Sequence, residues 1–284
     1  MLAEACNPTW PSVPLVGYSL AKALALRPDL EVTLLTHVRN RVAVESSPLA
    51  KLASVHYIDN EFLAAPMYAL AKRLRGGQTL AWTIDTAMAW PGYIVFEHLV
   101  HKAFGRRLQA GDFDLIHRVT PLTPTVGSPL AAKTDVPMLL GPLNGGLPWP
   151  REYPELIRRE KEYLTHVRRV YRLLPFFRST YRHLAGVIAA SRATAADIPR
   201  WFHKNRYLIP ENAIDPERFP PAYTWPEPTG KFRFVSVGRL VPYKGTWLTL
   251  EAFRRSPILQ QCEFLIVGDG PQRRPVARDD HRGT

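Results

Sequence analysis

The feature that most constrains this chain lies near its end, between Lys231 and Pro271. Lys231-Phe-Arg-Phe-Val-Ser-Val-Gly238 has the Phe and Val density of a buried strand and ends on glycine. Arg239-Leu-Val-Pro-Tyr-Lys244-Gly245 follows as a loop carrying two cations. From Thr246 to Arg255, Leu248, Leu250, Ala252 and Phe253 recur at helical spacing, with Thr246 as the expected cap and Ser256-Pro257 as the stop. Cys262-Glu-Phe-Leu-Ile-Val267 reads as a second buried strand, closed by Gly268-Asp-Gly-Pro271. Strand, helix and strand in that order make a βαβ unit with parallel strands, so the chain is expected to be α/β.

The cations stand where such a sheet binds ligands. Open parallel sheets take them beyond the carboxyl ends of the strands, where helix N-termini also point. Arg239 directly follows one strand end and Lys244 directly precedes a helix. An anion there would meet two positive charges, backbone N–H groups and the positive end of a helix dipole. A phosphate or diphosphate fits that chemistry, and ordinary solvation of a loop is the competing reading.

With 46% hydrophobic and 22% charged residues, the composition suits a globular α/β protein of one or two domains. No apolar run is long enough to span a bilayer, and no basic region followed by an apolar core opens the chain. Cys6 and Cys262 read as small core residues rather than a disulfide, which points to the cytoplasm. The net charge of +12 asks for an anionic partner. Nucleic acid is disfavoured because no RNA-binding aromatic signature or zinc-finger spacing occurs. Peripheral contact with the inner face of an anionic membrane fits better, and plain solubility is the competing reading.

The segment Val237-Gly-Arg239-Leu-Val-Pro-Tyr-Lys244-Gly245, followed by a helix and Ile266-Val-Gly-Asp-Gly-Pro271, resembles the second nucleotide-binding domain of the retaining glycosyltransferases of family 4. The resemblance implies a GT-B fold, in which two Rossmann-like domains face a cleft. It assigns residues 1–203 to an acceptor-side domain and 204–284 to a partial domain for the nucleotide-sugar. It implies transfer of a hexose from a nucleotide-diphosphate-sugar to a sugar or lipid-linked acceptor hydroxyl, with retention. Arg239 and Lys244 would hold the donor diphosphate, with Gly238 and Gly245 beside them, and no metal or other cofactor would be needed.

Earlier segments carry weaker parts of the same resemblance. Gly17, after the loop Asn7–Val16, matches a glycine of the family's first strand-to-helix turn, although Pro14 and Leu15 replace its usual neighbour. Asp112-Phe-Asp114-Leu-Ile-His117 is similar to a pattern whose histidine contacts donor sugar or acceptor, making His117 the active-site candidate of the first half. A packed strand histidine is the competing reading. Asp112 and Asp114 precede the apolar run and so read as strand-start residues, not metal ligands. Glu97, His98 and His101 lack a further ligand nearby and read as structural or solvated. Gly141-Pro-Leu-Asn-Gly-Gly146 resembles a cleft-wall loop. Glu211-Asn212-Ala-Ile-Asp215 resembles a donor-side motif, with Asn212 as a ligand contact and Tyr207-Leu-Ile-Pro210 as the first strand of the second domain.

Residues 30–36, 54–58, 136–140 and 185–190 read as further strands. Residues 62–109 read as helical, with breaks at Gly76-Gly77 and Pro91-Gly92. Residues 151–184 read as an amphipathic helical stretch with nine basic residues against four glutamates, a face suited to solvent or to an anionic membrane. The family places a pair of glutamates well beyond the Gly268–Pro271 turn to grip the donor. Here Glu263 is the last glutamate, and the 14 residues after Gly270 show no helical or strand period. The second domain is therefore expected to be incomplete, its half of the chain loose and the chain impaired or inactive. A non-catalytic binding protein with the same fold is the alternative. An oxidoreductase is disfavoured because Arg273 stands where a dinucleotide fingerprint needs its third glycine.

Overall fold

A computed structural model describes residues 1–74, 82–145, 170–216, 219–221 and 230–273. Residues 1–74, 83–145 and 170–213 belong to one compact unit, and the described residues from 214 onward belong to a second.

The first unit is built on a seven-stranded parallel sheet, Rossmann-like in general kind. Its strands are β1 (Leu2–Ala3), β2 (Thr33–His37), β3 (Ser54–Ile58), β4 (Ile116–Thr120), β5 (Met138–Leu143), β6 (Gly186–Ala189) and β7 (Asn205–Leu208). They lie in the order β3-β2-β1-β4-β5-β6-β7, every neighbouring pair parallel. Successive strand residues point to opposite faces, and a parallel sheet buries both. Leu2, Leu35, Ile116, Leu140 and Val187 enter one core cluster, while Ala3, Leu34 and Val119 enter another.

Helices cover the two faces. α1 (Val13–Ala25) brings Tyr18 and Ala21 to the second cluster, joined by Val44 of α2 (Arg41–Glu45) and Leu49 of α3 (Leu49–Leu52). After α4 (Glu61–Leu74), α5 (Trp82–Gln109) lays Tyr93, Phe96, Val100 and Phe104 on the first cluster at helical spacing. α6 (Phe177–His183) adds Phe177 and Tyr181 to that cluster, and α7 (Arg192–Asp197) precedes β7. Ser191 caps α7 by accepting from the Thr194 N–H at 3.1 Å.

Several expectations need correction. α5 runs unbroken through Pro91-Gly92: proline removes one helical hydrogen bond, and a long helix packed on the core keeps its path without it. Asn60 Nδ2, buried after β3, donates to the Gly92 carbonyl at 2.7 Å and holds the helix there. The proposed break at Gly76-Gly77 and most of the basic stretch 151–184 lie outside the described residues. Residues 205–208 do not begin the second unit. β7 pairs with β6 from Gly186↔Asn205 to Ala189↔Leu208, so the first unit extends to about residue 213 rather than 203.

The second unit holds β8 (Arg233–Val237), α8 (Thr246–Arg255) and β9 (Glu263–Val267), and the two strands are parallel from Arg233↔Glu263 to Val237↔Val267. The βαβ order is as expected. The strands are not buried: Val235 and Val237 are 55% and 76% exposed. α8 covers part of one face, with Phe253 stacked on Phe264 at 4.8 Å and edge-on to Phe234 at 5.5 Å. Among the described residues of this unit, two strands and one helix are too few to bury both faces of a parallel sheet. The α8 cap is Gly245, in the left-handed conformation at φ 71°, and Thr246 is already helical.

The first unit is fastened by a buried carboxylate. Glu97 on α5 accepts from the Tyr93 hydroxyl at 2.5 Å, the Ser128 hydroxyl at 2.7 Å and the Leu130 N–H at 3.0 Å. Burial raises the pKa of Glu97, and the buried Arg118 guanidinium opposes that rise. Arg118 donates to the Val126 carbonyl at 2.8 Å and lies 5.3 Å from the Tyr93 ring centre. Replacing Glu97 by Ala should remove three hydrogen bonds and leave Arg118 without compensation. A loss of about 3–5 kcal/mol in urea unfolding is expected.

Candidate functional site

The order of strands reverses between β1 and β4, and an open parallel sheet binds ligands beyond the carboxyl ends at such a point. Here the ends of β1 and β4 are tied side by side. Ala5 N–H donates to Thr120 Oγ1 at 3.0 Å, and the Thr120 hydroxyl donates back to the Ala5 carbonyl at 3.2 Å. Gly17 sits inside α1, where an added Cβ would stand 2.2 Å from the Ala5 carbonyl oxygen and 3.2 Å from Thr120 Cγ2. The glycine therefore lets α1 reach the strand ends, and protein backbone already occupies the space beside it. Glu4, the first residue past β1, has its carboxyl pushed up to about 7 by burial, against the opposing effect of Arg39.

His117 is the second residue of β4, three positions short of the strand's end. Burial pushes its imidazole down to about 4, against the Gly141 hydrogen bond, so the ring is neutral near pH 7. Its Nε2 lies 2.7 Å from the Gly141 carbonyl, which can only accept. The proton is therefore on Nε2, and His117 holds the start of the Gly141–Gly145 segment across the β4–β5 pair. That segment continues β5 before it turns. Asn144 Oδ1 accepts from the Gly145 N–H at 2.7 Å, and the Gly145 carbonyl accepts from the Thr194 hydroxyl at 3.1 Å. Asn144 Nδ2 also donates to Glu211, whose Oε1 lies 3.4 Å from Asn212 Nδ2. The structure thus gathers Asn212 and the glycine-rich exit of β5 at one edge of the sheet, with Gly17 at the β1–β4 ends and His117 deeper within the sheet.

The ends of β2 and β3 hold polar residues that sequence reasoning passed over. Arg39 forks onto Glu61, its Nε meeting Oε1 and its Nη2 meeting Oε2 at 2.6 Å. Its backbone N–H donates to the buried His37 Nδ1 at 3.1 Å, and burial lowers the His37 pKa. Asn40 Nδ2 donates to the Glu4 carbonyl at 2.8 Å, linking this group to β1. The signal that singled out Arg239, a cation just past a strand end, also marks Arg39.

In the second unit, the loop after β8 is laced to the loop after β9. Gly238 and Leu240 N–H groups donate to the carbonyls of Val267 and Asp269 at 3.0 and 2.9 Å. A side chain at Gly268 would strike the Gly238 carbonyl oxygen at 1.8 Å, so only glycine lets the loops meet. Arg239 Nη2 donates to the Tyr243 hydroxyl at 2.9 Å, and Lys244 Nζ lies 5.4 Å from the Tyr243 ring centre. One tyrosine therefore gathers both cations. Neither forms an ion pair among the described residues, and the first turn of α8 carries no acidic side chain. Gly238, Arg239, Lys244 and Gly245 thus meet between the end of β8 and the N-terminus of α8.

Asp112 pairs with Arg107 at 2.9 Å before β4, at the amino end of that strand, and Asp114 also precedes it. Among the described residues, no group of three or more His, Cys, Asp or Glu is arranged to hold a metal ion. Cys6 and Cys262 are both free. No described helix is long and apolar enough to cross a membrane. No protein-family model matches the chain, and no curated protein matches it.

Two outcomes follow. Gly17→Ala should cost about 3 kcal/mol of stability in denaturant unfolding, the upper end of overpacking penalties, because backbone rather than a flexible side chain must yield. For His117, the unfolded chain binds a proton more readily than the folded one between pH 6.5 and about 4. Its contribution to stability is therefore full above pH 6.5 and lost as pH falls through that window. An NMR titration should show the His117 ring titrating near pH 4, and a midpoint near 6.5 would refute this environment.

Proposed function

We propose that the chain is a retaining glycosyltransferase of the GT-B kind, taking a nucleotide-diphosphate-sugar as donor. The observation that carries this reading is the pair Arg239 and Lys244, gathered by Tyr243 at the N-terminus of α8 without an ion-pair partner among the described residues. Cations with no ion-pair partner among the described residues, set beside the positive end of a helix dipole, favour an anion. Two cations flanked by the backbone of Gly238 and Gly245 suit the two phosphates of a diphosphate.

In transfer, the bond between the anomeric carbon and the diphosphate oxygen breaks, the acceptor oxygen bonds to the same carbon face, and the acceptor's hydroxyl proton passes to the departing diphosphate oxygen. Positive charge grows on the sugar while negative charge grows on the diphosphate. Arg239 and Lys244 stabilise the departing diphosphate, a role that in other enzymes falls to a metal ion. Asn212 serves as a polar contact for donor or acceptor. His117, a neutral imidazole joined to Gly141, acts as a positioning residue for the glycine-rich segment. The acceptor hydroxyl belongs to a sugar or a lipid-linked sugar, and the net charge of +12 suits work beside an anionic membrane in the cytoplasm.

Titration calorimetry of the whole chain with uridine and guanosine diphosphates tests the central step. Arg239→Ala and Lys244→Ala should each weaken binding by about 10- to 100-fold, the loss of one charge-assisted contact. Affinity unchanged in both variants would remove the basis for the reading. Binding without sugar release from the matching nucleotide-sugars, supplied with an acceptor panel, would favour a non-catalytic binding protein.

A further inference from the structure

Beyond the carboxyl ends of β1 and β2, the first unit contains a groove of about 670 Å³ between the loop after β1 and helix α2. Its polar and aromatic lining includes Asn7, Thr9, Trp10, Arg39, Ser46 and Ser47. Loop and helix are joined through the same core, since Cys6, Tyr18 and Val44 pack together.

The hydrogen bonds of these side chains limit what the groove can receive. The Ser46 hydroxyl donates to the Val42 carbonyl at 2.8 Å, and the Ser47 hydroxyl to the Val44 carbonyl at 2.7 Å. The Thr9 hydroxyl donates to Asn7 Oδ1 at 2.8 Å, and that same oxygen accepts from the Thr9 N–H at 2.9 Å. All three hydroxyl protons are directed into the protein, so the oxygens offer lone pairs to a ligand. A ligand rich in donors matches them. A phosphate, which only accepts, does not.

Charge leads to the same class. Among the described residues, Arg39 is the one charged side chain of the lining, and Glu61 engages both Nε and Nη2 of its guanidinium. An anion would have to compete with that carboxylate. Trp10 is 47% exposed and supplies a flat aromatic surface, which suits the C–H face of a pyranose ring. Apolar stacking beside a few polar atoms is the usual make-up of a small-molecule site.

We propose that this groove binds an uncharged sugar, its C–H face against Trp10 and its hydroxyls donating to Thr9, Ser46 and Ser47. Calling that sugar the acceptor rests on the glycosyltransferase reading, whereas the existence of the site does not. The groove is then a neutral-sugar site chemically separate from the cationic one at Arg239 and Lys244.

Saturation-transfer NMR on the whole chain tests it, with methyl glycosides of glucose, galactose, mannose and N-acetylglucosamine at about 10 mM, well above millimolar affinity. The matching sugar 6-phosphates are run beside them, each with and without uridine diphosphate. At least one neutral glycoside should bind more tightly than its phosphate. Trp10→Ala should weaken that binding at least 10-fold, Trp10→Phe about 3-fold or less, and Ser46→Ala by an intermediate factor. The exposed position of Trp10 and unchanged circular dichroism separate this loss from misfolding. Absence of neutral-sugar binding under both conditions, preference for the phosphates, or indifference to Trp10→Ala would each overturn the proposal. Sugar binding without diphosphate binding would keep the groove and sink the donor reading, and the reverse result would do the opposite.

Discussion

The first unit depends on one buried carboxylate. Glu97 sits on the helix that covers one sheet face, and its acceptors are filled by Tyr93, Ser128 and the Leu130 N–H. Those bonds fix the chain that leaves β4 before it returns as β5. Arg118 lies in β4 itself, wholly buried, and ties the same connection through the Val126 carbonyl. Buried charged groups are seldom a net source of stability compared with apolar packing. Their use here is geometric, because the bonds impose one path on the β4–β5 connection and therefore one position on the glycine-rich exit of β5.

The sheet then passes that order to its carboxyl edge. The ends of β1 and β4 are stitched by Ala5 and Thr120, and Gly17 allows α1 to press against the stitch. His117 braces Gly141 from within the sheet, and Glu211 joins Asn144 to the segment after β7. Each link uses a backbone carbonyl or amide as one partner, or acts one residue from such a link. The edge is consequently set by main-chain geometry, which side-chain substitutions disturb less than they would disturb a purely side-chain network.

Local pattern made much of this legible before any coordinates. Residues 54–58 and 186–189 carry the β-branched density of strands, and the βαβ order at Arg233–Val237, Thr246–Arg255 and Glu263–Val267 follows from period alone. Pairing partners were not legible. Nothing local in Asn205–Leu208 says that it joins β6, since its four residues are exposed at the sheet edge and their partners lie earlier in the chain. The apolar content of β8 and β9 suggested burial, but a strand is buried only by what is packed on it. Pro91-Gly92 misled for the converse reason: a tertiary bond from Asn60 supports the helix where local rules expect a break. In the candidate site, spacing located Arg239 and Lys244, whereas the Glu61 partner of Arg39 lies 22 residues away and follows a different strand.

Arg39 and Arg239 occupy equivalent places, each just beyond the end of a parallel strand, yet they meet different partners. The Arg39 guanidinium is forked by a carboxylate, and any incoming anion must replace charge-assisted bonds of equal kind. Arg239 is met by a phenol hydroxyl, a neutral partner whose bond is weaker and whose displacement uncovers no charge. Lys244 beside the same ring adds a second positive charge within reach of the α8 N-terminus. Position after a strand is therefore common to both arginines, and the partner determines the chemistry. Arg39 has its charge answered by a carboxylate, whereas Arg239 and Lys244 have no ion-pair partner among the described residues.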